Sequence, residues 1–190
     1  MKETVHFRCR KEYCVSRNKL FLLTRGTMQV VRTNIQGKRQ GMAYLGEGDI
    51  LNLTSLFNTA ENRDDICIYT FTECETCVFA LQDLYNENSL SYLDIVLAIL
   101  KNTTRRLSQV IQILNSVSLD GSEDRVMNML DLILNYDTSD YVQKKSPAVP
   151  HSHEELSTFF GLNRVTTTRA IDNLQKKGLL SAERRSIKKV

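Results

Sequence analysis

The segment from His151 to Val190 carries the side chains whose types and spacing best suit contact with nucleic acid. Arg164 and Arg169 flank a run of threonines, and a second arginine pair follows near the C-terminus. Arginine can donate two parallel hydrogen bonds to a guanine edge or to a phosphate, and threonine hydroxyls can hold phosphates. The residues predicted to contact DNA are Asn163, Arg164, Val165, Thr166, Thr167, Thr168, Arg169, Arg184 and Arg185.

Local sequence signals place these side chains on a helix that follows a tight turn. Ser152 and Glu155 have the spacing of a capping box, which predicts the start of a first helix. Gly161 can take the left-handed conformation that ends this helix, and Asn163 can cap the next one. A second helix and a β-ribbon over 164–190 would complete a winged helix-turn-helix, whose second helix enters the major groove of DNA.

The charge of the chain is concentrated in the same segment. Residues 151–190 contain eight Lys/Arg and four Asp/Glu, a net charge of +4, whereas the other 150 residues carry 17 bases and 18 acids, or −1. A basic surface on a nearly neutral chain is the electrostatic footprint of phosphate contact. No set of residues has the spacing of a catalytic site, so we do not expect an enzyme.

Composition narrows the class further. The chain has 190 residues, of which 42% are hydrophobic, enough for one large or two small domains. No run approaches the ~20 apolar residues of a membrane span, so we expect a cytoplasmic protein without a membrane partner. The five cysteines are odd in number and lack metal-site spacing, so neither a disulfide framework nor a metal site is predicted. They are Cys9, Cys14, Cys67, Cys74 and Cys77.

The pattern of the remaining chain predicts an α+β protein. Residues 1–88 alternate polar and apolar and are punctuated by glycine, as in a β-roll effector domain. A long helix is predicted over 89–118, and the DNA-binding domain over 119–190.

The long helix shows a heptad repeat. Leucine at every d position across four heptads is typical of a dimer-forming coiled coil, and we prefer this interpretation to a buried helix in a monomer. Valines at the g positions widen the apolar face, which predicts that the helix also packs on its own β-domain. The predicted dimer residues are Leu93, Leu97, Leu100, Thr104, Leu107, Ile111 and Leu114.

The order β-roll, long helix and winged helix resembles the CRP/FNR superfamily of bacterial transcription regulators. Residues 19–30 (KLFLLTRGTMQV) are similar to its first strand pair, and 44–50 (YLGEGDI) to its glycine turn. Residues 155–169 match its helix-turn-helix signature. The resemblance implies a homodimer that binds palindromic double-stranded DNA, contacts RNA polymerase and takes a small-molecule effector in the β-roll.

The residues that hold cyclic AMP in one subgroup are replaced in this chain. Leu53 stands where that subgroup has a ribose-binding glutamate. The pair Val110-Ile111 stands where its Thr-Ser pair contacts the purine, and Asp64 would repel a phosphate. The resemblance therefore argues against cyclic AMP.

The recognition segment also resembles a narrower branch. Residues 164–169 (RVTTTR) are similar to the recognition helix of the global nitrogen regulators (the NtcA-like branch), which sense 2-oxoglutarate. Asp64 and Ile111 depart from that branch's effector contacts, which leaves loss of sensing open. The branch implies a cyanobacterium-like host, or a plastid stroma. Its effector contacts would fall on Leu51, Asn52, Leu53, Thr54, Arg63 and Arg106.

A protein of another class would share much of this pattern. A β-roll ligand-binding or protein-interaction module could use the basic tail for partner contacts without reading a DNA sequence. Steep loss of DNA affinity with salt would separate the two interpretations.

Overall fold

A computed structural model describes residues 3–15, 19–33, 36–37, 39–53, 66–80, 92–136, 152–183 and 186–190. The strands are β1 (Glu3–Phe7), β2 (Glu12–Val15), β3 (Lys19–Arg25), β4 (Met28–Thr33), β5 (Arg39–Leu45), β6 (Ile50–Leu51), β7 (Ile66–Thr70), β8 (Cys74–Ala80), β9 (Leu180–Glu183) and β10 (Ser186–Lys189). The helices are α1 (Tyr92–Leu119), α2 (Ser122–Tyr136), α3 (His153–Phe160) and α4 (Arg164–Lys176).

The chain forms two compact units. The first contains Met1–Val31 and Ala43–Ser108, and the second contains Arg32–Met42 and Gln109–Val190. Neither unit is a contiguous stretch of chain. In the described residues, no helix is both long and apolar enough to cross a membrane.

The predicted β-roll is confirmed. Its strands form two four-stranded sheets with the orders β1-β8-β3-β6 and β2-β7-β4-β5, and the pairings with assigned register are antiparallel. Alternate side chains point inward because successive residues of a strand face opposite sides of the sheet. The buried cluster they form consists of Phe7, Val15, Phe21, Leu23, Met28, Leu45, Leu51, Ile68, Cys74 and Val78.

The turn between β3 and β4 requires glycine. Gly26 has a φ of +95°, a conformation that side chains other than glycine rarely adopt. A Cβ atom at this position would lie 2.3 Å from the carbonyl oxygen of Glu73 and 2.8 Å from Cys74 Sγ. Backbone, which cannot rotate away, is the nearest obstacle.

We expect Gly26→Ala to lower the free energy of unfolding by about 2–4 kcal/mol, because it adds a backbone clash to conformational strain. Gly37→Ala is the matched control, since Gly37 also has a positive φ (+77°) but a Cβ atom added there would have nothing within 4 Å. The control should cost only about 1–2 kcal/mol. Urea denaturation of both variants measures the difference, and equal losses would contradict the close approach at Gly26.

Helix α1 presents an apolar stripe to solvent. The side chains of Leu107 and Leu114 are 59% and 61% exposed, although leucine is ordinarily buried. The other exposed apolar side chains of the described stripe are Val96, Leu97, Leu100, Val110 and Ile111. Leu93 belongs to α1, but its side chain lies outside the described residues.

The expectation that α1 also packs on its own β-domain is confirmed, but exposed valines of the widened apolar face do not make the contact. Val96 and Val110 are exposed together with the leucines. Polar residues meet the β-roll instead, since Asn102 is 4% exposed and donates to the carbonyl oxygen of Gly48. The apolar periodicity identified the exposed face of the helix, whereas the described contacts with the β-roll use side chains with hydrogen-bonding groups.

The second unit has its own core. Helices α2, α3 and α4 pack together, and the two-stranded sheet β9-β10 follows α4, as the winged helix-turn-helix prediction requires. Its most deeply buried apolar side chains are Val126, Met129, Leu130, Leu156, Phe159, Phe160, Ile171 and Ile187.

Candidate nucleic-acid interface

Local hydrogen bonds fix both ends of α3. The Ser152 hydroxyl accepts from the Glu155 N–H at 3.2 Å, and a Glu155 carboxylate oxygen accepts from the Ser152 N–H at 2.7 Å. This confirms the predicted capping box. Gly161 ends the helix in the left-handed conformation, with a φ of +64°. The chain therefore turns sharply before α4 begins.

Helix α4 begins at the predicted cap. Asn163 Oδ1 accepts from the Thr166 N–H at 2.8 Å, so this oxygen is engaged in capping. If Asn163 contacts DNA, its amide nitrogen is the group that remains to do so. In the first turn of α4, which follows this cap, Arg164 and Val165 are exposed to solvent.

One predicted DNA contact is corrected by the structure. Thr167 has no exposed surface, and its hydroxyl donates to the carbonyl oxygen of Asn163 at 3.1 Å. The helical period turns this position toward the core beside Ala170 and Ile171, which are also buried. Thr167 therefore stabilises the start of the helix, and its side chain is not accessible for contact in this structure.

The remaining predicted contacts on α4 are accessible. Arg164, Val165 and Arg169 are exposed, and Val165 is 60% exposed in spite of its apolar side chain. Thr166 and Thr168 are half-buried, and the Thr168 hydroxyl lies 3.2 Å from His153 Nδ1. Arg184 and Arg185 lie outside the described residues.

Acidic residues of α2 neutralise part of the basic segment. Lys177 forms an ion pair with Glu123, and Asn173 donates to the same carboxylate at 3.0 Å. The hydrogen bond from Lys177, followed by that from Asn173, lowers the pKa of Glu123 below its ordinary value. Lys189 pairs with Asp131 at 2.6 Å. These contacts hold the C-terminal end of α4 and the wing, which is the sheet β9-β10, against α2.

The bases that remain define the candidate surface. Within the described part of the chain, Arg164, Arg169, Lys176 and Lys188 are exposed and form no ion pair. Two of them project from the first two turns of α4. This arrangement supplies guanidinium donors for base edges and ammonium groups for phosphates.

The β-roll contains a buried polar cluster that sequence reasoning missed. Asp49 has no exposed surface; its carboxylate accepts from the Gly46 N–H at 2.8 Å and from Asn102 Nδ2 at 3.2 Å, and it pairs with Arg105. Buried carboxylates require such partners. The Gly-Glu-Gly-Asp turn and the polar residues of α1 are both visible in the sequence. Nothing in the sequence, however, indicates that Asp49 contacts Asn102 and Arg105.

The predicted effector residues are only partly brought together. Arg106 donates to the carbonyl oxygen of Ile50 at 2.9 Å, so it does lie beside the glycine turn. Leu51 and Asn52 are buried, and Asn52 donates its side-chain amide to the carbonyl oxygen of Lys19 at 2.9 Å. Leu53 is half-buried. Thr54 and Arg63 lie outside the described residues.

Comparisons with known proteins agree with this geometry. Residues 15–87 match the family described as the cyclic nucleotide-binding domain, and residues 125–189 match the Crp-like helix-turn-helix domain. The cyclic AMP receptor protein of Thermus thermophilus is 24% identical over 165 residues, which cover 85% of this chain and 70% of that protein.

Solved structures share the fold. The c-di-GMP-responsive global regulator CLP of Xanthomonas campestris superposes with a TM-score of 0.79 at 19% identity, covering 99% of this chain and 93% of that one. A CRP/FNR-family transcriptional regulator of Thermus thermophilus superposes with a TM-score of 0.74 at 14% identity, covering 99% and 93%. At these identities the likeness establishes the fold, and function must be argued from the site.

Proposed function

Because the chain belongs to the CRP/FNR family of DNA-binding transcriptional regulators, we propose that it acts as a homodimer that reads a palindromic DNA site through α4. The observation that carries this proposal is the exposed face of Arg164, Val165 and Arg169 at the start of α4. In this fold, that part of the helix enters the major groove.

The apolar stripe of α1 supports the dimer. A monomer would leave seven large apolar side chains of α1 in water, the described members of the stripe defined above. Their heptad spacing suits a second copy of the same helix packed alongside, which would bury them against each other. A two-fold axis would place two recognition helices about 34 Å apart, one turn of DNA.

The side chains of α4 set the expected base preference. Arg169 and Arg164 would donate to guanine edges or to phosphates, while Asn163 retains its amide nitrogen for a base or phosphate. Val165 cannot accept a hydrogen bond from cytosine, and its methyl groups suit contact with a thymine methyl. We propose the element GTA…TAC, which the likeness to the nitrogen branch suggests. Thr166, Thr168 and the wing arginines Arg184 and Arg185 would hold phosphates.

We propose that the effector is 2-oxoglutarate. We further propose that the protein takes part in nitrogen control and contacts RNA polymerase. Arg106 lies half-buried beside the glycine turn, and its guanidinium has the planar donors that bind carboxylates. Calorimetric titration with 2-oxoglutarate should release heat and lose it in Arg106→Ala. Cyclic AMP is the comparison ligand, and binding of cyclic AMP alone would overturn this assignment.

Salt dependence tests DNA binding itself. The logarithm of the affinity for a duplex should fall linearly with the logarithm of salt concentration, with a slope of about −0.9 for each phosphate contacted. Fluorescence anisotropy over a series of salt concentrations measures the slope. Absence of affinity for duplex DNA at low salt would favour the alternative, a β-roll interaction module whose basic segment binds another partner.

A further inference from the structure

Two cysteines meet across neighbouring strands of the β-roll. Cys14 on β2 and Cys67 on β7 are direct partners in the antiparallel register. Their sulfur atoms lie 3.1 Å apart, although 53 positions separate the two residues in the chain. The two sulfurs are thus in contact, and no disulfide bond joins them in this structure.

The backbone at this pair suits a disulfide. Directly opposed residues of antiparallel strands have Cα atoms about 4.5–5.5 Å apart, and disulfides bridge Cα atoms about 4.4–6.8 Å apart. Closure therefore requires a small approach of the two sulfurs and no rearrangement of the strands. Tyr13 and Val15, which flank Cys14, pack in or against the apolar core and hold β2 in this register.

The two thiols differ in accessibility. Cys14 is exposed and lies on β2, the edge strand of its sheet, whereas Cys67 is half-buried on the neighbouring strand. Among the described residues, no group of three or more His, Cys, Asp or Glu side chains could hold a metal ion. An exposed thiol with a second thiol in contact behind it is the arrangement of an attacking and a resolving cysteine.

We propose that Cys14 and Cys67 form a reversible redox couple that exchanges with small-molecule disulfides. The Cys14 thiolate attacks one sulfur of the external disulfide, breaking its S–S bond and releasing one thiol. The Cys67 thiolate then attacks Cys14 Sγ and releases the second thiol. The protein loses two electrons and two protons, and the external disulfide gains them as two thiols.

The other cysteines provide internal contrasts. Burial raises the pKa of the Cys74 thiol to about 11, so little of it is the reactive thiolate near neutral pH. Cys77 is half-buried on β8, and its register partners Thr4 and Leu22 carry no sulfur. A mixed disulfide formed when Cys77 attacks an external disulfide has no thiol at these register positions to resolve it, so the reduced thiol in solution reverses it and restores the Cys77 thiol.

Equilibration of the full chain with oxidised and reduced glutathione tests the couple. We expect intact-mass analysis to show loss of two hydrogens, a thiol assay to fall from five thiols to three, and peptide mapping to link Cys14 with Cys67. Dithiothreitol should reverse all three changes. In Cys67→Ser the mixed disulfide at Cys14 should accumulate, because the resolving thiol is missing.

Cys77→Ser is the matched control and should oxidise as the unmodified chain does. Circular dichroism checks that each serine variant is folded. A stable glutathione adduct on Cys14 in the unmodified chain would overturn the proposal, and so would a linkage that omits either cysteine. None of these measurements uses DNA, so their outcome does not depend on the proposed regulatory function.

Discussion

Replacing Leu107 and Leu114 together with glutamate will convert the protein to a monomer and remove most of its DNA affinity. Both leucines lie on the exposed apolar stripe of α1. A carboxylate at each position would have to be buried unpaired in the interface, which costs several kcal/mol for each group. Since a monomer engages one half-site, the affinity for a palindrome should fall by about 10²–10⁴-fold. Analytical ultracentrifugation and anisotropy titration measure the two effects.

Gln112→Glu is the matched control for that variant. Gln112 is an exposed polar residue of the same helix, on a different face from the leucine stripe. The Gln112→Glu substitution introduces the same type of charge, and the substituted protein should remain dimeric with near-native DNA affinity. If the chain with both leucines replaced still sediments as a dimer, the prediction that the dimer forms through the apolar stripe of α1 is wrong.

Arg169→Ala is expected to abolish discrimination between the specific site and random duplex. A bidentate contact from arginine to guanine contributes about 1–3 kcal/mol of discrimination, and a dimer would make two such contacts. The expected loss is therefore about 2–6 kcal/mol in specific affinity, with little change in nonspecific affinity. Competition titrations with specific and random duplexes measure both quantities.

Lys176→Ala provides the comparison for Arg169→Ala. Lys176 is an exposed base of the same helix without an ion pair among the described residues. If it binds a phosphate, its removal should weaken binding to all sequences alike and reduce the salt slope by about one for each phosphate released. Unchanged affinity of Arg169→Ala for the best site would contradict the assignment of this arginine.

The helix-turn-helix could be predicted because its signals are local. The capping box of Ser152 and Glu155, the left-handed Gly161 and the cap at Asn163 each act within three or four residues. Sequence alone determines such contacts, because the partners are fixed by helical geometry. The heptad stripe is predictable for the same reason, although polar residues of α1, and not the exposed Val96 and Val110, make the hydrogen bonds to the β-roll.

Long-range partners could not be predicted. Its residue type and position predict that Thr167 contacts DNA. Its burial depends on how α4 packs against the other helices, which residue type alone does not reveal. The ion pair of Lys177 with Glu123 joins residues 54 positions apart. The contact between Cys14 and Cys67 depends on strand register, whereas spacing along the chain compares only cysteines that are close in sequence.

Selection of bound sequences from a random duplex library tests the central claim most directly. A homodimer that reads DNA through α4 should enrich a palindrome whose half-site centres lie about 10 bp apart. Addition of 2-oxoglutarate should increase the enrichment if the effector assignment holds. Failure to enrich any sequence in either condition, or enrichment of a single unrepeated half-site, would contradict a dimeric reader of palindromic DNA.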